Sequence, residues 1–301
     1  MDHIDVIYAE KADSFRVQYR KDIVYAQRDG RELHIQLLAH DLRRPRRPGD
    51  RMKEWEKIPP KAYPTIVYMQ GSGWGGSDSV GDLPQMAEIA HRGYNVACVE
   101  YRGNKDGYLF PTAIADAKAA VRFLRAHSQE YNIDPGRIAA ISDSSGGHTA
   151  AMLALTEGDK RFDVGEYLDH SSSVCAVVDL YGPSDICKFR DDLFASHIEN
   201  VYDPDAINSL LYGSMDVTDE MRRTASPVAY IPSDRELPPF LLMHGDRDDT
   251  VSPIQSERFY RALTAAGQRV ELVRVFGGSH GRRFWTKPVI DRIVAFLDAC
   301  V

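Results

Sequence analysis

The sequence predicts an α/β fold, a mostly parallel central sheet with helices on both faces. Three observations carry that expectation. From residue 65 onward, short apolar runs alternate with stretches of helical periodicity. One run, Ile138-Ala139-Ala140-Ile141, passes through Ser142-Asp143-Ser144-Ser145-Gly146-Gly147 straight into an Ala/Leu-rich segment, as a buried strand turning tightly into a helix would. Glycine-rich, acidic and histidine-bearing loops follow the expected strand ends, which is where open α/β sheets place their sites.

The bulk numbers set limits. A chain of 301 residues, 43% hydrophobic and 27% charged, can bury a large core. No repeat, linker or low-complexity tract divides it, so a single domain over residues 1–301 is the economical reading. A net charge of −7 disfavours nucleic acid or an anionic membrane as partner. No apolar stretch approaches membrane-spanning length. Met1-Asp2-His3-Ile4-Asp5 has neither a basic nor an apolar leader character, so no signal peptide is read. Cys98, Cys175, Cys187 and Cys300 form no CxxC pair and no zinc-like spacing. The expected compartment is a reducing cytoplasm.

Taken in order, residues 15–26 and 32–40 read as two strands joined at Arg28-Asp29-Gly30, an antiparallel hairpin at the sheet edge. Residues 42–61 are proline-rich and basic, with Arg43, Arg44, Arg46, Arg47, Arg51 and Lys53, and read as a solvated surface insertion. A strand at 65–69 ends in Gln70-Gly71-Ser72-Gly73-Trp74-Gly75-Gly76, and a helix over about 82–92 follows. This loop lacks a Walker lysine and dinucleotide spacing. Its small residues suit the presentation of amides to a developing oxyanion. Next come a strand at 94–99, a helix at 112–127 with Ala113, Ala117, Ala120, Val121 and Leu124 on one face, and the strand before Ser144. After it an amphipathic run covers 149–156, and a buried strand covers 173–180. Between 181 and 230 the rhythm breaks into short helical pieces carrying Phe189, Leu193, Ile207, Leu210 and Leu211. Residues 240–243 form a strand, 253–266 a helix stopped by Gly267, 270–275 the last strand and 285–299 the closing helix.

A serine at the 142–147 corner is exposed above the sheet, and the first amides of the following helix point at whatever bonds to it. The residues two before and two after must be small, as Ser142 and Gly146 are. The bland alternative is a helix N-cap. This stretch resembles the nucleophile elbow of the α/β-hydrolase superfamily, in its esterase/lipase branch with Gly-Asp-Ser-x-Gly-Gly, Ser142 standing at the first glycine. Residues 70–76 are similar to that branch's His-Gly-Gly-Gly-Trp oxyanion loop, with Gln70 for the histidine and Ser72 for a glycine. His244-Gly245-Asp246-Arg247-Asp248-Asp249-Thr250-Val251 resembles its acid loop, His-Gly-x-x-Asp-x-x-Val. That pattern selects Asp248, leaving Asp246 to shape the turn and Asp249 to solvent. Gly277-Gly278-Ser279-His280-Gly281 then offers His280 as the base. Tyr101 and Arg102 match a Tyr-Arg pair of the branch, structural or pocket wall in role, and Trp74 is a further pocket candidate.

The resemblance implies a helical cap inserted at about 183–225. It also implies a serine carboxylic-ester hydrolase of the carboxylesterase or acetyl esterase type, acting on short acyl groups. Ser144 would be nucleophile, His280 base and Asp248 its orienting acid. Amides of Ser145 and of Ser72 or Gly73 would form the oxyanion hole. No metal or organic cofactor is called for. The partner would be a small-molecule or oligosaccharide ester, and a homo-oligomer is left open. A second reading is a hemicellulose side-chain esterase, acetylxylan or feruloyl. A third, of another class, is a non-catalytic hydrolase-fold binder of small ligands, supported only by Gln70 and Ser142.

Overall fold

The computed structural model describes residues 17–40, 61–77, 79–198, 203 and 205–301. Residues 42–60 of the basic stretch lie outside them. The described residues build an eight-stranded sheet in the order β1-β2-β4-β3-β5-β6-β7-β8. β1 (Val17–Arg28) and β2 (Arg31–His40) are the expected edge hairpin. Its two-residue turn, Asp29-Gly30, has positive φ at both positions (53° and 76°), the twist-compatible form for tight hairpins. β2 is antiparallel to β4 (Asn95–Val99). From there β3 (Tyr63–Met69), β5 (Ile133–Asp143), β6 (Val177–Leu180), β7 (Phe240–Gly245) and β8 (Val270–Val275) run parallel.

Side chains alternate across these strands, as the two-residue period of a sheet requires. Val67, Met69, Ala97, Val99, Ala140 and Leu242 bury one face with α2 (Thr112–Ala126), α3 (Ser145–Leu155) and α7 (Pro253–Ala265). Ile66, Tyr68, Val96, Cys98, Ile141 and Val178 bury the other with α1 (Leu83–Ala90) and α8 (Lys287–Cys300). Among the described residues no helix is long and apolar enough to cross a membrane.

Two expectations need correction. The run at 149–156 is not amphipathic in place: every residue of α3 is buried. It is covered by β3, β5 and β6 on one side, by α2 on another, and by the short 3-10 turn at Pro227–Tyr230. β6 is shorter than 173–180: it covers Val177–Leu180, while the carbonyls of Ser171 and Ser173 before it are taken by the Arg125 guanidinium.

Asp179, near the end of β6, is fully buried beneath α3 and accepts the Gly182 amide at 2.9 Å. Burial pushes its carboxyl up to about 7. An acid whose folded pKa is raised binds its proton more tightly than the unfolded chain does, so stability falls as pH rises from about 4 to 7. Asp179→Asn, which cannot ionise, is therefore expected to melt higher than wild type. The gap should widen between pH 4 and 7 and level off above, at no more than about 4 kcal/mol. Melting curves across that range would check it; a pH-independent difference would refute the linkage.

Candidate active site

Ser144 leaves β5 with φ 53° and ψ −126°, a region that non-glycine residues rarely occupy. Its amide donates to Leu180 O at 2.8 Å and its carbonyl accepts the His148 amide at 3.1 Å, so both neighbours of the bend are fixed. The corner is tight because α3 starts almost against β3. A Cβ added at Gly146 would fall 2.0 Å from Met69 O. Ser142 has a use of its own: its hydroxyl accepts the Met69 amide at 3.1 Å, across the β3–β5 register.

Asp143 anchors the corner to the neighbouring loop. Its Oδ1 accepts the Gly71 amide at 2.8 Å and lies 2.8 Å from the Tyr68 hydroxyl. That hydroxyl also lies 2.7 Å from Asp82 Oδ2. The single phenolic proton is shared between these two acceptors. Burial pushes the Asp143 carboxyl up, and the Gly71 amide and the Tyr68 hydroxyl oppose that shift.

The structure brings Ser144, His280 and Asp248 together from the ends of β5, β8 and β7. His280 Nε2 lies 2.8 Å from Ser144 Oγ. His280 Nδ1 lies 2.8 Å from Asp248 Oδ2 and 3.0 Å from Oδ1. Asp248 is itself held: Oδ1 accepts the amides of Thr250 and Val251 at 3.0 and 2.9 Å. Its Oδ2 lies 3.3 Å from His244 Nε2. Burial alone would raise this carboxyl, but hydrogen bonds from His244 and His280 outweigh it and hold the group well below the usual carboxylate range. Asp246 accepts the Gly277 amide at 2.6 Å and so ties the loop after β7 to the loop after β8. Asp249 is half-buried and takes the Thr250 hydroxyl at 3.2 Å.

The loop after β3 arches over Ser144. The Ser72 amide donates to Ser145 Oγ at 2.9 Å and is thus engaged inside the protein. The amides of Gly73 and of Ser145, first residue of α3, make no hydrogen bond among the described residues. Gln70 accepts from the Ser77 hydroxyl at 3.3 Å and helps to shape the loop. Tyr101 is not pocket wall: it is 1% exposed, its hydroxyl donates to Gln70 O and lies 2.9 Å from Ser72 Oγ. A phenol between two loop groups braces the loop from beneath and cannot reach a ligand.

Trp74 does face the cavity, of about 380 Å³, that opens over Ser144 and His280. Its other apolar walls come from Pro183, Phe189, Leu193, Ile207 and Leu210, on and beside α4 (Phe189–Ala195) and α5 (Ala206–Tyr212). Thr250 and Val251 close the side next to Asp248.

Three supporting residues escape a reading of sequence alone. The first is His244, whose Nδ1 lies 2.7 Å from Ser256 Oγ and whose Nε2 lies 2.9 Å from Val251 O. A carbonyl only accepts, so Nε2 carries the proton and faces Asp248 with it. The second is His148, which receives the Trp74 indole N–H on Nδ1 at 3.2 Å and gives Nε2–H to Ala225 O at 2.8 Å. Burial pushes its pKa down to about 4, so it stays neutral near pH 7. The third is Asn104, at the start of the 3-10 turn after β4, whose Nδ2 donates to Gly73 O. His244 lies inside the acid-loop motif; nothing local marks the other two.

Serine after the central strand, acid after β7 and histidine after β8, on this sheet order, define the class: an α/β-hydrolase fold. A family model described as BD-FAE matches residues 56–263, and the chain belongs to that family. It is 27% identical to esterase LipC of Mycobacterium tuberculosis over 262 residues, 83% of this chain and 62% of LipC. The chain thus spans less than two thirds of the length of such curated relatives. A truncated carbohydrate esterase from gut microbiota superimposes with a TM-score of 0.73 at 24% identity, covering 96% of this chain and 97% of that one. A bifunctional GH43-CE protein of Bacteroides eggerthii does so at 0.74 and 27% identity, covering 93% of this chain and 38% of the other.

Proposed function

We propose that this chain is a serine carboxylic-ester hydrolase of the carboxylesterase or acetyl esterase type. The observation that carries the reading is the continuous contact Ser144 Oγ, His280 Nε2, His280 Nδ1, Asp248 at 2.8 Å per link. A serine hydroxyl is a weak nucleophile near neutral pH unless a base takes its proton. Here His280 takes it as Ser144 attacks the ester carbonyl and returns it to the leaving alcohol. Asp248 holds the imidazole in the Nδ1–H tautomer and stabilises the imidazolium. The Gly73 and Ser145 amides receive the tetrahedral oxyanion, and Ser72 supports them through Ser145 Oγ. Water then cleaves the acyl-enzyme by the reverse proton path.

Residues 183–225 act as a cap whose apolar side chains accept the acyl or alcohol group, within a single domain of 1–301. The unpaired cysteines fit a reducing cytoplasm. A narrower reading, an esterase of hemicellulose side chains such as acetyl or feruloyl groups, is favoured by the likeness to the GH43-CE protein.

The test is hydrolysis of p-nitrophenyl esters from acetate to decanoate, beside acetylated and feruloylated xylan oligosaccharides. Turnover falling beyond short acyl chains is expected, because α4 and α5 bound the cavity. A fluorophosphonate probe should label one residue per chain, Ser144. No turnover on any ester and no labelling would leave the binding-protein reading in its place.

A further inference from the structure

Asn104 opens the short 3-10 turn after β4, away from the catalytic groups. Its backbone amide donates to Trp74 O at 2.8 Å. Its side-chain Nδ2 donates to Gly73 O at 2.9 Å and to Leu210 O at 2.8 Å. Both acceptors are carbonyls, so only the –NH2 end of the side chain can serve them, and each of its two hydrogens is used. One carbonyl belongs to Gly73, which lines the cavity and whose amide is free of partners among the described residues; the other lies on α5 of the cap. Trp74, a non-glycine residue, has a positive φ of 56°, a sparsely populated conformation that persists where the surrounding structure holds it. A second link runs parallel to the first, from Trp74 through His148 to Ala225 at the far end of the cap segment.

We infer that Asn104 is a positioning residue that clasps the oxyanion loop to the cap, so that a substrate seating the cap also sets the Gly73 amide. The inference rests on the ester-hydrolase reading above. The clasp makes the hole depend on the cap: an acyl group packed against Ile207 and Leu210 steadies α5, α5 steadies Asn104, and Asn104 fixes the plane of the peptide that follows Gly73. A misplaced donor weakens binding of the tetrahedral state more than binding of the flat ester.

The test compares wild type with Asn104→Ala and with Asn104→Asp, which keeps the shape of the side chain and removes both donors. On p-nitrophenyl acetate and butyrate, kcat is expected to fall about 10- to 100-fold with KM little changed. The number of sites titrated by a fluorophosphonate should stay at the wild-type value. Affinity for a trifluoromethyl ketone, which forms the oxyanion, should drop in proportion to kcat. The kcat ratio between butyrate and acetate should move toward one as the cap loses its hold on the loop. Unchanged kcat in Asn104→Asp, a loss explained by fewer titratable sites, or an unaltered chain-length ratio would each overturn the clasp. A wild type with no ester turnover would instead sink the hydrolase reading on which it stands.

Discussion

Ser144→Ala is expected to lower kcat on p-nitrophenyl acetate by about 10⁶-fold, and to abolish fluorophosphonate labelling, with a melting temperature close to wild type. The size follows from the roles being one unit: His280 and Asp248 have nothing to activate once the hydroxyl is gone. Folding is spared for three reasons. Alanine meets the same φ of 53° that serine does. The backbone bonds to Leu180 and His148 are untouched. The lost side-chain contact is the one to half-buried His280. A residual rate above water is expected from the Gly73 and Ser145 amides, which still face a bound carbonyl. Steady-state kinetics with intact-protein mass spectrometry after probe treatment would check both halves. Wild-type turnover in the variant would remove Ser144 from the mechanism, while a large drop in melting temperature would show the corner to be held by its hydroxyl.

What the sequence discloses about this site follows from how local each cause is. Ser144, Asp248 and His280 each lie in a short loop directly after a strand, and each motif carries the small residues that its close approach demands. Gly146 against Met69 O and Gly245 against Gly278 O are examples. Such packing is written into consecutive residues and can be read from them. Tyr101 stays open between two roles in the sequence because an aromatic after a strand is as suited to bracing a loop as to lining a pocket; its partners Gln70 and Ser72 are remote in sequence. The Ser72 amide is engaged by a hydroxyl 73 residues away, which no local pattern reveals. Asn104 and His148 join three segments at once, so their meaning exists only in the folded chain. The burial of α3 on all sides has the same origin, since the covering residues at 227–230 come from beyond the cap.

Asp248→Asn should lower kcat by about 10⁴-fold while leaving KM nearly unchanged, for a reason visible in the hydrogen bonds. Asn keeps its oxygen where Oδ1 is, because the Thr250 and Val251 amides require an acceptor there. The –NH2 must then replace Oδ2, facing both His280 Nδ1 and His244 Nε2. His244 has already committed its Nε2–H to Val251 O and its Nδ1 to the Ser256 hydroxyl, so it cannot turn to accommodate a donor. His280 can: it accepts the new N–H on Nδ1 and places its own proton on Nε2, against Ser144 Oγ. In that tautomer it has no lone pair with which to take the serine proton. The stability effect has a sign of its own. Asp248 is held below the ordinary carboxylate range, so its contribution is present above the unfolded pKa near 4 and is lost as pH falls through the lower folded value. Asp248→Asn should therefore be destabilised most at pH 5 and above, and approach wild type in strong acid. Kinetics at pH 8 and melting curves from pH 3 to 8 would check the two parts. A variant with wild-type kcat would mean that Tyr181, whose ring packs 4.7 Å from that of His280, orients the imidazole without the carboxylate.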